Sequence, residues 1–270
     1  MMKKVLLNLS YISVTLLSLV IIYVFFIFNP NDYKSQITNY ISSKTKYNFT
    51  YDGDIEISYY PDFQVLMPGI KIFKMSSDSK DMMIEVSSIN LSLSLEQLMN
   101  KVIDRGDIKA YDFKYHGVNA DDVLIKTYSL LKFSLLSGSN ENITNVKNIS
   151  AKFTMINNKM KISDIYMETE MMEARGNGSI DLITKESEFS FIGKMKAYKD
   201  VMSLYQNNYP IELINEELPI IISGELDNLS VSVNLNHIII KKVEPIREKI
   251  IDEIQDKVIN ELRDKIKLPF

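Results

Sequence analysis

The 270-residue chain reads as a β-rich α+β protein. An N-terminal transmembrane helix precedes a mostly antiparallel sheet, with short helices and a C-terminal amphipathic helix. Three observations predict this. The stretch from Val5 to Asn29 carries no charge. Between residues 47 and 233, one short segment after another alternates apolar with polar residues, the period of a strand with one greasy face. Val243 to Ile266 instead repeats aliphatic residues every three or four positions, which is one face of a helix.

Taken as a helix, Val5 to Asn29 rises about 37 Å at about 1.5 Å per residue, enough to cross a hydrocarbon core of about 30 Å with some tilt. A cleaved signal peptide is the alternative. The run is too long for one, and Tyr23, Phe25, Phe26 and Phe28 stand where small residues would mark a cleavage site. Lys3 and Lys4 precede the span, so the N-terminus is expected in the cytoplasm and residues 31–270 across the membrane. The organisation that follows is a tail (1–4), an anchor (5–29), a first sheet region (30–136), a second sheet region (146–236) and a terminal helix (237–270).

From Asn31 to Lys46, Tyr33, Ile37, Tyr40 and Ile41 share a helical face, with Asn31 or Asp32 as the cap. Phe49, Tyr51, Ile55, Ile57 and Tyr59 then fall on odd positions around Gly53. A hairpin turn at Asp52-Gly53 would mix Asp54 and Glu56 into the apolar face, so a single strand bent at the glycine is the better reading. Val65 to Phe73 returns, interrupted at Pro68-Gly69. In Asp81–Leu95 the apolar parity switches near Ser87-Ser88, which calls for a bulge or turn. Leu95–Ile103 reads as a short helix, and Asp107–His116 as a strand with Tyr111, Phe113 and Tyr115 on one face. Asn119–Leu136 reads as a helix with Val123, Tyr128, Leu131 and Leu135 inward.

The tract SGSNENITN (137–145) is the best candidate internal boundary. Strands at 149–156, 160–169, 172–183 and 187–195 follow at hairpin spacing, which is an antiparallel meander. Ala151, Phe153 and Met155 alternate in it, as do Phe189, Phe191 and Met195. In the terminal segment, charges of both signs fill the face opposite the aliphatic stripe. A membrane-surface helix favours lysine and aromatics, so docking on the sheet or on a partner helix is expected.

Several of these pieces stand in the order found in one bacterial family. Asn29, Pro30, Asp32 and Tyr33 are followed by the Tyr51–Ile57 strand, Pro61 and an apolar return strand, then Leu95-Glu96-Gln97-Leu98 before a new strand. EARGNGSIDLITKESEFSFIGKM (173–195) and LPIIISGELDNLSVSV (218–233) repeat further signatures. The chain resembles the AsmA family, inner-membrane-anchored envelope proteins, over nearly all of residues 1–235, with a shorter middle than large members. The family is similar to bridge-like lipid-transfer proteins, whose curved sheets offer a groove to acyl chains. The resemblance therefore implies a periplasmic body, a role in envelope and outer-membrane homeostasis, phospholipid acyl chains and the inner membrane as partners, and possible envelope partner proteins. Groove candidates are Phe49, Tyr51, Ile55, Ile57, Tyr59, Ile84, Val86, Tyr111, Phe113, Tyr115, Phe153, Phe189 and Phe191. About ten strands at about 4.8 Å make a trough of about 50 Å, too short for one copy to bridge two membranes.

Composition argues against other classes. A formal charge of −4 and only four arginines give no nucleic-acid footprint. There is no cysteine, and the two histidines, His116 and His237, are far apart. No phosphate loop, nucleophile elbow or metal-ligand spacing occurs, so no metal, no cofactor and no catalysis are expected. The acidic residues Asp104, Asp107, Asp112, Asp121 and Asp122 read as solubilising charge at strand ends. The alternative to a lipid groove is a sheet closed over its own core, serving as a non-catalytic scaffold or assembly factor for outer-membrane proteins.

Overall fold

The computed structural model describes residues 12–16, 18–19, 29–45, 47–59, 62–75, 80–94, 96–97, 100, 104–131, 141–197, 209–236 and 238. One antiparallel sheet dominates it. Its strands are β1 (Tyr47–Tyr51), β2 (Glu56–Ser58), β3 (Phe63–Met75), β4 (Lys80–Leu93), β5 (Arg105–His116) and β6 (Ile143–Ile156), followed by β7 (Lys159–Thr169), β8 (Met172–Asp181), β9 (Glu186–Met195), β10 (Leu218–Glu225) and β11 (Asn228–Val233). They lie side by side in chain order, except that β1 and β2 both pair with β3. The segment 47–59 is thus one edge strand broken around Gly53, as the alternation predicts. The tract 137–145 runs into β6, which pairs with β5 from Arg105–Thr154 to His116–Ile143. The two sheet regions are halves of one sheet.

Before β1, a 3-10 turn (Pro30–Tyr33) leads into helix α1 (Lys34–Thr45). The cap of the 3-10 turn is Asn29, whose side chain accepts from the Asn31 N–H at 3.0 Å. Pro30, which has no N–H to satisfy, suits the first position after that cap. Of the predicted anchor, only Ile12–Leu16, Ser18–Leu19 and Asn29 are described. Among the described residues no helix is long and apolar enough to cross a membrane. The terminal helix at 243–266 and most of the helix at 95–103 lie outside the described residues.

The parity switch at Ser87-Ser88 belongs to a row that crosses the sheet. Pro68 faces Ser88 and Ile70 faces Val86, which sets Gly69 opposite Ser87. By the same reasoning Ser87 stands opposite Asp112, and Asp112 opposite Lys147. At the β1 end, the Asp52 N–H donates to the Gly69 carbonyl at 3.0 Å. On one side of the row Met67, Ile89, Ala110 and Ile149 are neighbours, and on the other Ile70, Val86, Phe113 and Val146. These sets have opposite parity, yet Ile70, Val86 and Ala110 form one cluster with Met67, Ile89 and Phe113. A residue turned out of the pleat in each strand keeps the apolar side chains on one face. Gly69 and Asp112 do this at φ 64° and 48°, a region that glycine enters freely and Asp tolerates.

This row corrects one reading. Strict alternation puts Tyr111 with Phe113 and Tyr115. Because Asp112 sits in the left-handed region between them, Tyr111 points to the opposite, polar face and is 46% exposed.

A sheet of this width also twists. At about 20–25° per strand pair, nine steps turn the strand direction by about half a revolution. Diagonal corners are thereby brought together. The end of the sheet holding Tyr47, Lys74 and Tyr115 meets the turns of β8–β11. The Leu229 N–H donates to the Tyr115 hydroxyl at 3.1 Å, Lys74 pairs with Asp227 at 3.1 Å, and the Lys185 ammonium lies 4.2 Å from the Tyr47 ring centroid.

Candidate functional site: the apolar face of the sheet

The inner face of the sheet is apolar from edge to edge, and the two halves use it differently. Over β6–β11 it is filled. Helix α2 (Ala120–Leu131) lies on it, and Leu124 and Ile125 join Ala151, Ile165, Ala174, Phe191, Leu218 and Ile220 in the main core. Tyr209 and Leu213 before β10, and Leu235 and Ile238 after β11, complete it. The inward residues of α2 are therefore Leu124, Ile125 and Tyr128. Val123, expected inward, is half-buried, and the Leu131 side chain and Leu135 lie outside the described residues. The cap explains the offset: Asn119 accepts from the Asp122 N–H at 3.0 Å, and that start sets the helix phase.

The Gly-x-Gly signature serves this filled half. Phe191 pairs with Gly176 and Phe189 with Gly178 across β8 and β9. The rings lie over the glycines, so a Cβ at Gly178 would sit 2.1 Å from the Phe189 ring. Phe189 and Phe191 stack on each other at 6.1 Å and pack in the main core. Phe153, 9% exposed, is buried beside Gly106.

A polar network fixes the start of α2. Asp121 and Asp122 are buried, 8% and 7% exposed, and so are not solubilising charge. Asp121 accepts from the Thr169 hydroxyl at 2.9 Å, and Asp122 pairs with Lys126 one turn on. Burial pushes the Asp121 carboxyl up to about 6, against the opposing Thr169 hydrogen bond. Nearby, the buried Lys196 ammonium donates to Glu168 and to the Thr169 carbonyl at 2.7 Å, and that bond holds the Glu168 carboxyl below its usual range. The Tyr209 hydroxyl donates to the Lys196 carbonyl. The sequence carried a hint of this knot. Met171-Met172 sits in the β7–β8 turn, where polar residues are usual, and both are almost fully buried.

Over β1–β5 the inner face carries most of the predicted groove residues. Val86 is 2% exposed at its centre, and Phe49, Tyr51, Ile84 and Phe113 surround it half-buried. Tyr115 and Tyr47 close the corner with Met83, and burial raises both phenols. Ile55, Ile57 and Tyr59 continue the edge past the break, with Ile55 buried. α1 borders this edge: Lys34 donates to the Gly53 carbonyl at 2.7 Å, pairs with Asp54 at 2.8 Å, and lies 5.5 Å from the Tyr51 ring centroid. No described helix lies on the face of β3–β5 as α2 does on β6–β11. Among the described residues, no group of His, Cys, Asp and Glu could hold a metal ion.

The described residues thus form a single antiparallel sheet with one apolar face, over one half of which α2 packs. The AsmA family model matches residues 2–112. That stretch is AsmA-family sequence. It ends at Asp112 within β5 and so contains β1–β4 and most of β5. The signatures read at 173–195 and 218–233 lie outside the match. No curated protein matches the chain.

Proposed function

We propose that this is a non-enzymatic, membrane-tethered envelope protein that holds phospholipid acyl chains on the inner face of β1–β5. The observation that carries the reading is the contrast between the two halves. Among the described residues the main core gathers on β6–β11 with α2 laid over it, whereas on β1–β5 the buried residues form two small clusters made mostly of the sheet's own side chains. Exposing about 30 methylenes of a diacyl lipid costs on the order of 20 kcal/mol, at about 0.8 kcal/mol each. An apolar trough lowers that barrier without catalysis or a cofactor. The sheet spans about 45 Å across its strands at about 4.8 Å spacing, which suits a collar or feeder better than a complete bridge. The anchor at 5–29 would hold the open half next to the inner membrane, with the body in the periplasm.

The test is co-purifying lipid, measured by mass spectrometry on full-length protein and on Ile57→Asp and Phe113→Asp. In an open trough the new charge is hydrated when lipid is absent, so the fold survives while lipid content falls. Tyr111→Asp, on the outer face of the same strand as Phe113, should leave lipid content unchanged. Folded inner-face variants with wild-type lipid content would refute the reading. Inner-face variants that cannot fold would favour the closed scaffold.

A further inference from the structure

We infer that α2 is a latched arm on the β6–β11 face: a proton on Asp121 holds the start of the helix against the β7–β8 turn, and loss of that proton lets the helix swing outward on a pivot at Val118–Ala120. Two attachments hold the start of α2, and they differ in kind. The first is neutral. The Ala120 N–H donates to the Thr144 hydroxyl at 3.0 Å, and that hydroxyl donates to the Val118 carbonyl. Just before them, the Gly117 N–H donates to the Asn142 carbonyl at 2.8 Å. None of these groups changes its charge between pH 4 and 7, so the pivot holds throughout.

The second attachment is the Asp121 carboxyl on the Thr169 hydroxyl, 2.9 Å away and almost fully buried. That hydroxyl also accepts from the Met172 N–H at 3.1 Å, which fixes it in the turn. Around the carboxyl, Glu170 adds a like charge, and the Met171 N–H donates to it. The cation that reaches it, Lys196, is already committed to Glu168 and the Thr169 carbonyl. Tyr209 turns its hydroxyl to the Lys196 carbonyl, and the Asp121 charge helps to raise its phenol. On the helix itself, Asp122 is paired with Lys126. A helix start favours an anion, but by less than a buried charge without its own counter-ion loses. The charged form therefore belongs in water, and a movement of the helix start takes it there. Leu124, Ile125 and Tyr128 still hold the helix to the core, so the swing is an excursion whose frequency the proton sets.

Hydrogen exchange on the full-length protein in detergent micelles tests this, with each amide's rate divided by its intrinsic rate at that pH. A carboxyl that titrates at 3.8 in water and at about 6 when seated raises the swung population about 50-fold between pH 4 and 7, most of it below pH 6. Protection of the α2 amides from Leu124 to Ser129 should fall by that factor. It should also stay below that of the β8 and β9 amides at every pH, while the Ala120 amide keeps its protection. In Asp121→Asn, α2 protection should stay level across the same range. The swing needs no lipid, so the result is independent of the acyl-chain reading. Level α2 protection in the wild type, or the same fall in Asp121→Asn, would overturn the inference. So would equal protection of α2 and the strands at every pH, because the helix would then leave only when the whole sheet unfolds. Loss of Ala120 protection in step with the rest of α2 would overturn the pivot.

Discussion

Asp121→Asn tests the knot that seats α2 in the trough. Burial raises the Asp121 carboxyl from 3.8 to about 6, with Thr169 opposing the shift and Glu170 adding to it. The folded protein therefore takes up a proton that the unfolded chain does not hold between about pH 4 and 6. A raised folded-state value contributes stability that is fully present below the unfolded value and is lost as pH climbs through the folded one. About two units at 1.36 kcal/mol each make the loss about 3 kcal/mol by pH 7. Asparagine cannot ionise and keeps an oxygen for the Thr169 hydroxyl. It gives up one acceptor, a pH-independent cost of about 1 kcal/mol. The variant should thus be slightly weaker than wild type at pH 4 and about 2 kcal/mol more stable at pH 7 to 8. The chain has no tryptophan, so urea unfolding followed by far-ultraviolet circular dichroism is the assay. Parallel stability profiles for the two proteins from pH 4 to 8 would show that Asp121 is not held in a site that disfavours its charge.

Tyr115→Phe removes the acceptor of the Leu229 N–H at the corner where the two ends of the sheet meet. It should cost about 1 kcal/mol and speed hydrogen exchange at Leu229, and an unchanged Leu229 amide would mean that the corner is not closed by this bond. Gly178→Ala places a methyl against the Phe189 ring, and overpacking there should cost about 1–3 kcal/mol in urea unfolding. A neutral Gly178→Ala would show that Phe189 is free to move off β8.

Alternation in the sequence already specified most of the strands, the antiparallel meander and which side of each is greasy, because a period of two is a property of the extended backbone and survives any tertiary arrangement. The switch at Ser87-Ser88 and the break at Gly53 were legible for the same reason. The AsmA-like order of elements was legible at the N-terminal end, where the family match also lies. Three things required the tertiary structure. Tyr111 looked inward because sequence carries no mark of the left-handed turn at Asp112. Asp121 and Asp122 looked like surface charge because their burial depends on Thr169, Lys126 and the β7–β8 turn, of which Thr169 is 48 positions away from Asp121. The cover that α2 gives to the β6–β11 half of the apolar face depends on where that helix lies and on how far the sheet has twisted. Local patterning can say that a face must be covered. What covers it is settled by twist and helix placement summed over the whole sheet, and no single stretch of the chain encodes that sum.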